Sequence, residues 1–179
     1  MRALKRFLSF VASRMFFLTV IIALLIISFY LAMNTANIWV LIDDGLSARA
    51  GVVLMNQDAS GLSKYFRQEF LDQDPVLQIG QSDASPYRDY EIRGFDHRVR
   101  MVSVWSWPWE NVARAEIIES IPAIDGTIRA SRREAALAAG GEERLSPPAW
   151  ATSRYRVTLT RTAGRWMISN LQLIEQMEE

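Results

Sequence analysis

Residues 15–33 read MFFLTVIIALLIISFYLAM, a run of nineteen residues without a charged side chain. A helix of this length, at about 1.5 Å per residue, covers roughly the 30 Å hydrocarbon core of a bilayer. Thr19 and Ser28 can return their hydroxyl groups to carbonyl oxygens of the preceding turn, so no polar group need be left unpaired in lipid. The run therefore predicts one transmembrane helix.

The charges on either side of this run predict its orientation. Four basic residues precede the first acidic residue, Asp43. By the positive-inside rule, residues 1–14 form a cytoplasmic tail, and residues 34–179 form a domain outside the cell membrane. A cleaved signal peptide is the main alternative, but the run exceeds the usual h-region of about 7 to 15 residues and no small-x-small site directly follows it. A buried helix of a soluble protein is disfavoured, because a chain this short seldom hides such a helix.

The composition excludes several classes of protein. Half of the 179 residues are apolar and the mean hydropathy is +0.02, which fits neither a disordered chain nor a polytopic membrane protein. The sequence has no cysteine, so disulfides, thiol nucleophiles and cysteine-ligated metal centres are excluded. The residues after the apolar run carry sixteen basic and twenty acidic side chains, a net charge of −4, which argues against nucleic-acid binding. The basic tail suits contact with anionic lipids of the inner leaflet.

Two amphipathic helices are predicted after the apolar run. In the first, apolar residues recur at helical spacing beyond residue 38, and the helix can continue the membrane helix before a break near Gly45 or Gly51. The second begins after Asp58 or Ser60, either of which can cap it. It carries a row of aromatic side chains, and Pro75 sets its outer limit.

The remainder of the chain has the alternating pattern of one-faced antiparallel strands. Strands are predicted at residues 90–95, 98–105 and 112–121, after a polar, turn-rich linker. Residues 130–148 are rich in Ala, Gly and charge, and we expect a mobile excursion with at most one or two helical turns.

The terminal stretch, residues 155–169, reads YRVTLTRTAGRWMIS and predicts a β-hairpin around a short Gly-containing turn. On the first strand, Tyr155, Val157 and Leu159 share one face because side chains alternate. Across the turn, the same face is expected to carry Trp166 and Ile168.

This order of elements resembles the NTF2-like, or cystatin-like, α+β superfamily over residues 38–175. The motifs that carry the resemblance are the amphipathic helices, the antiparallel strands and the terminal YRVTLTRTAGRWMISNLQL hairpin. The resemblance implies helices packed in the concavity of a strongly bent sheet. With its anchor, the chain is similar to the assembly-factor subunits of bacterial type IV secretion and conjugation channels, which implies a scaffold in a membrane complex.

Candidates for catalysis or metal binding are few. His97 follows Asp96, but neighbouring side chains on a strand point to opposite faces, so a surface or turn histidine is expected. The acidic residues at 43–44 and 72–74 lack the oxygen-rich spacing of a calcium loop, and helix-end capping with solvation explains them. The sequence also lacks a phosphate-binding loop, a nucleophile elbow and a zinc-binding His pair. We therefore predict neither an enzyme nor a cofactor or metal site.

Ketosteroid-isomerase-like members of the superfamily use Asp and Tyr residues of a pocket for proton transfer. By that resemblance, Tyr65, Asp89 and Tyr90 are candidates to line a pocket here. A core filled by Phe66, Phe70 and tryptophan side chains is favoured over an open cavity.

The sequence Trp105-Ser106-Trp107-Pro108-Trp109 is the most unusual local cluster. On a strand its three indole rings share one face, although Pro108 should end regular pairing. Core filling at a strand end is the favoured interpretation. Partner docking and contact with the membrane interface are the alternatives, and they make Trp105, Trp107 and Trp109 candidate partner-binding residues.

Together these patterns predict a single-pass bacterial envelope protein whose outer domain is a non-catalytic scaffold. Its partners would be the lipid bilayer and other membrane or envelope proteins, and a homo-oligomer is left open. A membrane-tethered ligand-binding or sensory domain is the alternative, and a small NTF2-like hydrolase or isomerase comes third.

Overall fold

The computed structural model describes residues 2–107 and 109–177 and shows an α+β protein with a long apolar helix at its N-terminal end. Helix α1 spans Arg2–Met55, 54 residues without an interruption. Its apolar part is long and hydrophobic enough to cross a membrane and is not buried by the rest of the chain. From Asn34 onward one face of the same helix becomes buried in the domain.

The predicted break of α1 near Gly45 or Gly51 is wrong, because both glycines lie within the continuous helix. A Cβ atom on Gly45 would stand 3.1 Å from Tyr65 Cβ and 3.3 Å from Ile168 Cδ1. Gly45 therefore allows the helix and the sheet to approach each other closely, and this packing outweighs the cost of glycine in a helix.

The single helix predicted between Asp58 and Pro75 is also wrong. Three short helical pieces replace it, namely a 3₁₀ helix at Ala59–Lys64, α2 at Gln68–Leu71 and α3 at Pro75–Gly80.

The interruption arises because the backbone next to Phe66 pairs with the last strand, where Arg67 N donates to Ile168 O at 2.9 Å and Ile168 N donates to Tyr65 O at 2.8 Å. Asp58 does cap the first piece, since its side chain accepts from Ser60 N. Pro75 begins α3 instead of ending a helix, because a proline needs no N–H in a first turn.

In the part of the chain that the structure describes, six strands form two antiparallel sheets. They are β1 at Tyr90–Phe95, β2 at Arg98–Ser106, β3 at Val112–Ile121, β4 at Ile124–Ile128, β5 at Trp150–Thr162 and β6 at Arg165–Gln176. Strands β2-β3-β5-β6 form the larger sheet in that order, and β1 pairs with β4 in the smaller one. The strands predicted at 90–95, 98–105 and 112–121 are confirmed, whereas β4 was not predicted.

The terminal hairpin is confirmed and is longer than predicted. Leu159 pairs with Ile168 and Arg161 with Trp166, which places Trp166 and Ile168 on the face of Val157 and Leu159 as expected. The turn places Ala163 at φ 50° and Gly164 at φ 81°, the left-handed pair of a type I′ turn.

One core joins α1 to the larger sheet. Helix α1 contributes one stripe of buried side chains, Ile38, Ile42 and Leu46. The sheet contributes buried side chains from the face that it turns toward α1, namely Ala113, Ala115, Ile117, Val157, Leu159 and Ile168. Phe66 is fully buried among them and stacks on Phe70 with ring centroids 5.4 Å apart. Helix α1 thus contains both the exposed apolar run and a stripe that is buried in the core of the domain.

The segment 130–148 holds a 3₁₀ turn at Ala130–Arg132, helix α4 at Arg133–Gly140 and a second 3₁₀ helix at Gly141–Leu145, which is more helix than the one or two turns predicted. Most of its residues are exposed, and Ala136 is the buried member of α4. The predicted mobility of this excursion stays a prediction.

Candidate functional site at the junction of helix and sheet

A cluster of polar side chains ties α1 to the tips of the larger sheet where the apolar run ends. We call it the junction cluster, and it consists of Tyr30, Asn34, Ser106, Arg161 and Trp166. Asn34 Oδ1 accepts from Trp166 Nε1 at 2.7 Å and from Arg161 Nη2 at 3.1 Å, while Asn34 Nδ2 donates to Ser106 Oγ at 2.6 Å. One asparagine therefore binds both hairpins of the sheet.

Arg161 extends this network into the apolar run. Its Nη1 and Nη2 both donate to Tyr30 Oη at 3.1 Å, and its guanidinium lies 4.3 Å from the centroid of the Trp166 ring. Stacking on an aromatic ring suits the planar, weakly hydrated guanidinium. The junction cluster fixes how the sheet faces α1 at the level of residues 30–34.

The tryptophan cluster, Trp105, Trp107 and Trp109, lies beside the junction cluster. The favoured interpretation of core filling is wrong, because the three residues are 61%, 37% and 72% exposed. The ring centroids of Trp105 and Trp107 lie 5.2 Å apart edge to face, and those of Trp107 and Trp109 lie 5.0 Å apart in a stack. Pro108 lies outside the described residues. The rings pack on one another instead of entering the core.

A second polar cluster, which sequence reasoning missed, lies deep between α1 and the sheet. We call it the buried charge cluster, and it consists of Arg49, Asp74, His97 and Glu119, with Asp43 at its edge, where the Asp43 side chain is 38% exposed. Arg49 Nε donates to Asp74 Oδ2 at 2.6 Å and Arg49 Nη2 to Asp74 Oδ1 at 3.0 Å, with both side chains almost fully buried. This is the bidentate geometry in which a guanidinium binds a carboxylate most strongly.

His97 lies in the two-residue connection between β1 and β2, in line with a turn position, but its side chain is only 5% exposed, so the expectation of a surface histidine is wrong. Its Nε2 lies 3.2 Å from Glu119 Oε1 and its Nδ1 lies 3.9 Å from Asp43 Oδ1. Glu119 is fully buried on β3, and its Oε2 has no hydrogen-bond partner among the described residues. The partners of His97 stand far from it in sequence, and no local pattern indicated them.

The acidic residues at 43–44 and 72–74 have several roles. Asp74 caps α3 by accepting from Val76 N, as predicted, but it is buried and also pairs with Arg49, so solvation does not explain it. Asp72 accepts from Gln68 Nε2 on the surface. Asp43 faces His97, as described above.

Burial and charge shift two titrations in this region. Burial alone would lower the pKa of Arg49, but the hydrogen bond and charge of Asp74, together with Glu119, outweigh it and raise that pKa. Burial, and then the charge of Glu119, raise the pKa of Tyr155, although Arg49 and Ser153 act in the opposite direction. Arg49 therefore stays charged and Tyr155 neutral at physiological pH.

A groove of about 480 Å³ opens beside this cluster, between α2, α3 and β6. Its lining includes Arg49, Asp74, Tyr155 and Ser169. Arg49 Nη1 has no hydrogen-bond partner among the described residues. The groove combines a few polar groups with apolar walls, which is the usual composition of a small-molecule site.

The structure does not place the three predicted pocket residues around one cavity. Tyr65 lines a cavity with Phe95, and Tyr90 lines another of about 370 Å³ near the end of α1. The Tyr90 hydroxyl donates to Arg144 O at 3.1 Å, and Asp89 pairs with Arg132 at 3.2 Å. No three His, Asp or Glu side chains of the described residues are grouped so that they could hold a metal ion.

Comparison of the sequence with protein-family models and curated proteins, and of the fold with solved structures, finds no match.

Proposed function

We propose that the protein is a single-pass scaffold or assembly subunit of a bacterial envelope complex. In this proposal α1 crosses the cell membrane, with residues 1–14 in the cytoplasm and the α+β domain outside. The observation that carries it is the uninterrupted helix α1, whose exposed apolar part continues directly into the core of the domain. A rigid connection of this kind sets the direction in which the domain faces above the bilayer. A scaffold needs that fixed direction, whereas a freely tethered enzyme does not.

The NTF2-like assignment is part of this proposal. Short helical pieces and α1 packed on one face of an antiparallel sheet support it. The separate β1–β4 sheet and the excursion at 130–148 are additions to a compact form of that fold. Secretion and conjugation channels are the class of machine that the resemblance suggests.

The contacts of the ionisable groups favour a structural role over a catalytic one. Asp74 is engaged twice by Arg49 and once by Val76 N, and His97 lies against Glu119. Groups that are paired with each other inside a core stabilise packing and are poorly placed to exchange protons with a substrate.

Membrane topology is tested with single cysteines, because the chain has none of its own. We choose Ala3→Cys in the tail and Glu142→Cys in the exposed excursion. A membrane-impermeant maleimide should label position 142 on intact cells (spheroplasts for a Gram-negative envelope) and position 3 only after permeabilisation. Full-length protein in the aqueous fraction, or a mature form without its first residues, would contradict the proposal.

The scaffold role is tested by rotating the domain relative to the membrane segment. Two alanines inserted after Ala36 turn the two parts of α1 by about 200°, since each helical residue adds about 100°. We expect the variant to stay in the membrane but to lose its cross-links to other envelope proteins in native membranes. Two alanines inserted after Arg14, before the apolar run, are the control. Equal cross-linking by both variants would refute a scaffold that depends on rigid coupling.

A membrane-tethered ligand-binding domain is the second candidate, and the groove beside Arg49 and Tyr155 favours it. Native mass spectrometry of the full chain should then detect a retained small molecule that Ser169→Trp, which fills the groove, excludes. If the natural chain and the Ser169→Trp variant both show the mass of the protein without a ligand, the ligand-binding function is refuted.

A further inference from the structure

We infer that the tryptophan cluster is a lipid-binding rim that inserts into the interface of the bilayer crossed by α1. The inference rests on the proposed membrane crossing. It adds a second contact between the protein and the membrane, made by the domain itself. Exposure of three adjacent indole rings is the first observation behind it.

The course of β2 along α1 gives the position of these rings. At the start of β2, His97 lies beside Asp43, and at its end Ser106 Oγ accepts from Asn34 Nδ2. From Asp43 to Asn34 the helix descends about 14 Å toward the apolar run, at about 1.5 Å per residue. Strand β2 therefore runs toward the membrane segment, and the loop that carries Trp107 follows at its lower end.

The β5–β6 hairpin points the same way. Arg161, close to its turn, donates to Tyr30 Oη within the apolar run, and its backbone N donates to Asn111 O at 2.8 Å. This last bond ties the loop after the tryptophan cluster to the β5–β6 hairpin. Both hairpin tips consequently meet the last helical turn of the apolar run, where the bilayer interface is expected.

The chemistry of these tips matches the headgroup region of a bilayer. Indole rings concentrate there because they combine a large apolar surface with one N–H donor. Arg114 stands opposite Trp105 in the strand register, and Arg165 is exposed next to the β5–β6 turn. Both guanidinium groups could reach lipid phosphates, against one acidic residue in the loop, Glu110.

Continuity with the apolar run favours lipid over a protein as the occupant. Phe29 and Met33 are exposed on α1 at the level of the junction cluster. The rings thus lie at the same level along α1 as helix surface that is itself expected to contact lipid. A protein partner would have to dock at this level within the membrane interface.

Nitroxide labels on single cysteines in the full-length protein, reconstituted in lipid nanodiscs, test the inference. We choose Trp109→Cys in the rim, Leu137→Cys as an exposed apolar control on α4, and Leu25→Cys within the apolar run. Collisions with oxygen, which partitions into lipid, are compared with collisions with a water-soluble nickel chelate. At position 109 we expect oxygen to exceed nickel, as at position 25, and the reverse at position 137.

Each other outcome overturns the inference in a distinguishable way. If the label at position 25 lies in lipid and the label at position 109 lies in water, the membrane crossing is supported and the lipid-binding rim is refuted. A label at 109 shielded from both reagents indicates a protein contact, including one with a second copy, in place of lipid. If the label at position 25 lies in water, both the membrane crossing and the lipid-binding rim are refuted.

A second measurement uses the native rings. Brominated lipids should quench the tryptophan fluorescence of the natural chain more than that of the variant with Trp107→Phe and Trp109→Phe. Because both residues are exposed, the variant should fold, and an unchanged far-UV circular dichroism spectrum verifies this. Equal fractional quenching of the two proteins would contradict the rim.

Discussion

The two polar clusters hold the same helix by different chemistry. The junction cluster binds α1 through an asparagine, a tyrosine, a serine, an indole and one arginine at the edge of the domain. The buried charge cluster holds α1 about two helical turns beyond Ile42, where the ion pair of Arg49 with Asp74 is shut away from water. A buried charge is tolerated only when it is paired. Removing one partner of the Arg49–Asp74 pair should therefore lower the free energy of unfolding more than removing hydrogen bonds at the edge of the domain.

The largest expected effect comes from breaking the buried pair. Asp74→Asn keeps an oxygen to cap α3 but leaves the charge of Arg49 without its carboxylate, which should lower the free energy of unfolding by about 3–5 kcal/mol. Urea unfolding of the full chain in detergent micelles measures this value. Adding Arg49→Met to Asp74→Asn should recover part of the loss, because the unpaired charge is then gone.

A matched control for that prediction exists on the surface. Asp83 pairs with Arg88, but the Asp83 side chain is 91% exposed. Asp83→Asn should change the free energy of unfolding by only about 0–1 kcal/mol. Equal effects of Asp83→Asn and Asp74→Asn would mean that burial does not distinguish the two pairs.

The next effect concerns the junction cluster. Asn34→Ala removes the bonds to Ser106, Arg161 and Trp166, and we expect a loss of about 1–3 kcal/mol in the same measurement. Combining it with Trp166→Phe should cost less than the sum of the two single changes, because they share one hydrogen bond. Strict additivity would show that Asn34 and Trp166 act independently.

A smaller effect is expected in the way the stability of the domain depends on pH. Because folding raises the pKa of Tyr155, the stability that its neutral form contributes is complete below the ordinary tyrosine pKa and is lost as the pH rises through the folded value. Tyr155→Phe should therefore weaken the fall in melting temperature on alkaline titration from pH 9 to pH 11. Burial raises the pKa of Tyr87 as well, so Tyr87→Phe should act in the same direction. An unchanged alkaline slope in both variants would contradict these shifts.

The smallest effect is expected at the tip of the β5–β6 hairpin. Ala163 has φ 50°, a conformation that favours asparagine or glycine over alanine. Ala163→Asn should raise the free energy of unfolding by about 0.5–1 kcal/mol, visible as a rise of a few degrees in the melting temperature. A lower melting temperature would indicate that this turn is already optimal with alanine.

Local patterns in the sequence were sufficient to predict the apolar helix, the strands β1 to β3 and the terminal hairpin. The glycines of α1 were misread, because Gly45 serves contact with Ile168 and the sequence alone does not show that contact. Trp107 was misread for the opposite reason, since an apolar residue on a strand was expected to face the core and is exposed on a loop.

The contacts of the buried charge cluster could not be predicted from the sequence. Arg49, Asp74 and Glu119 come from α1, the start of α3 and β3, and nothing in the sequence shows that these three residues meet. Only the tertiary fold brings them together. Two local signs could have drawn attention to this region: Arg49 on the apolar stripe of a predicted helix, and Glu119 at a core-facing position of the predicted strand 112–121.

The placement of α1 at the centre of the core has a consequence for biogenesis. The inner face of this helix leaves the ribosome early, but β5 and β6, which cover it, are made much later in translation. Until then a hydrophobic stripe is uncovered on a nascent chain whose apolar run is expected to be in the bilayer already, and such a stripe is prone to misassociation. We therefore expect the maturing polypeptide to depend on a chaperone or on the lipid surface for shielding until its last hairpin closes over the helix.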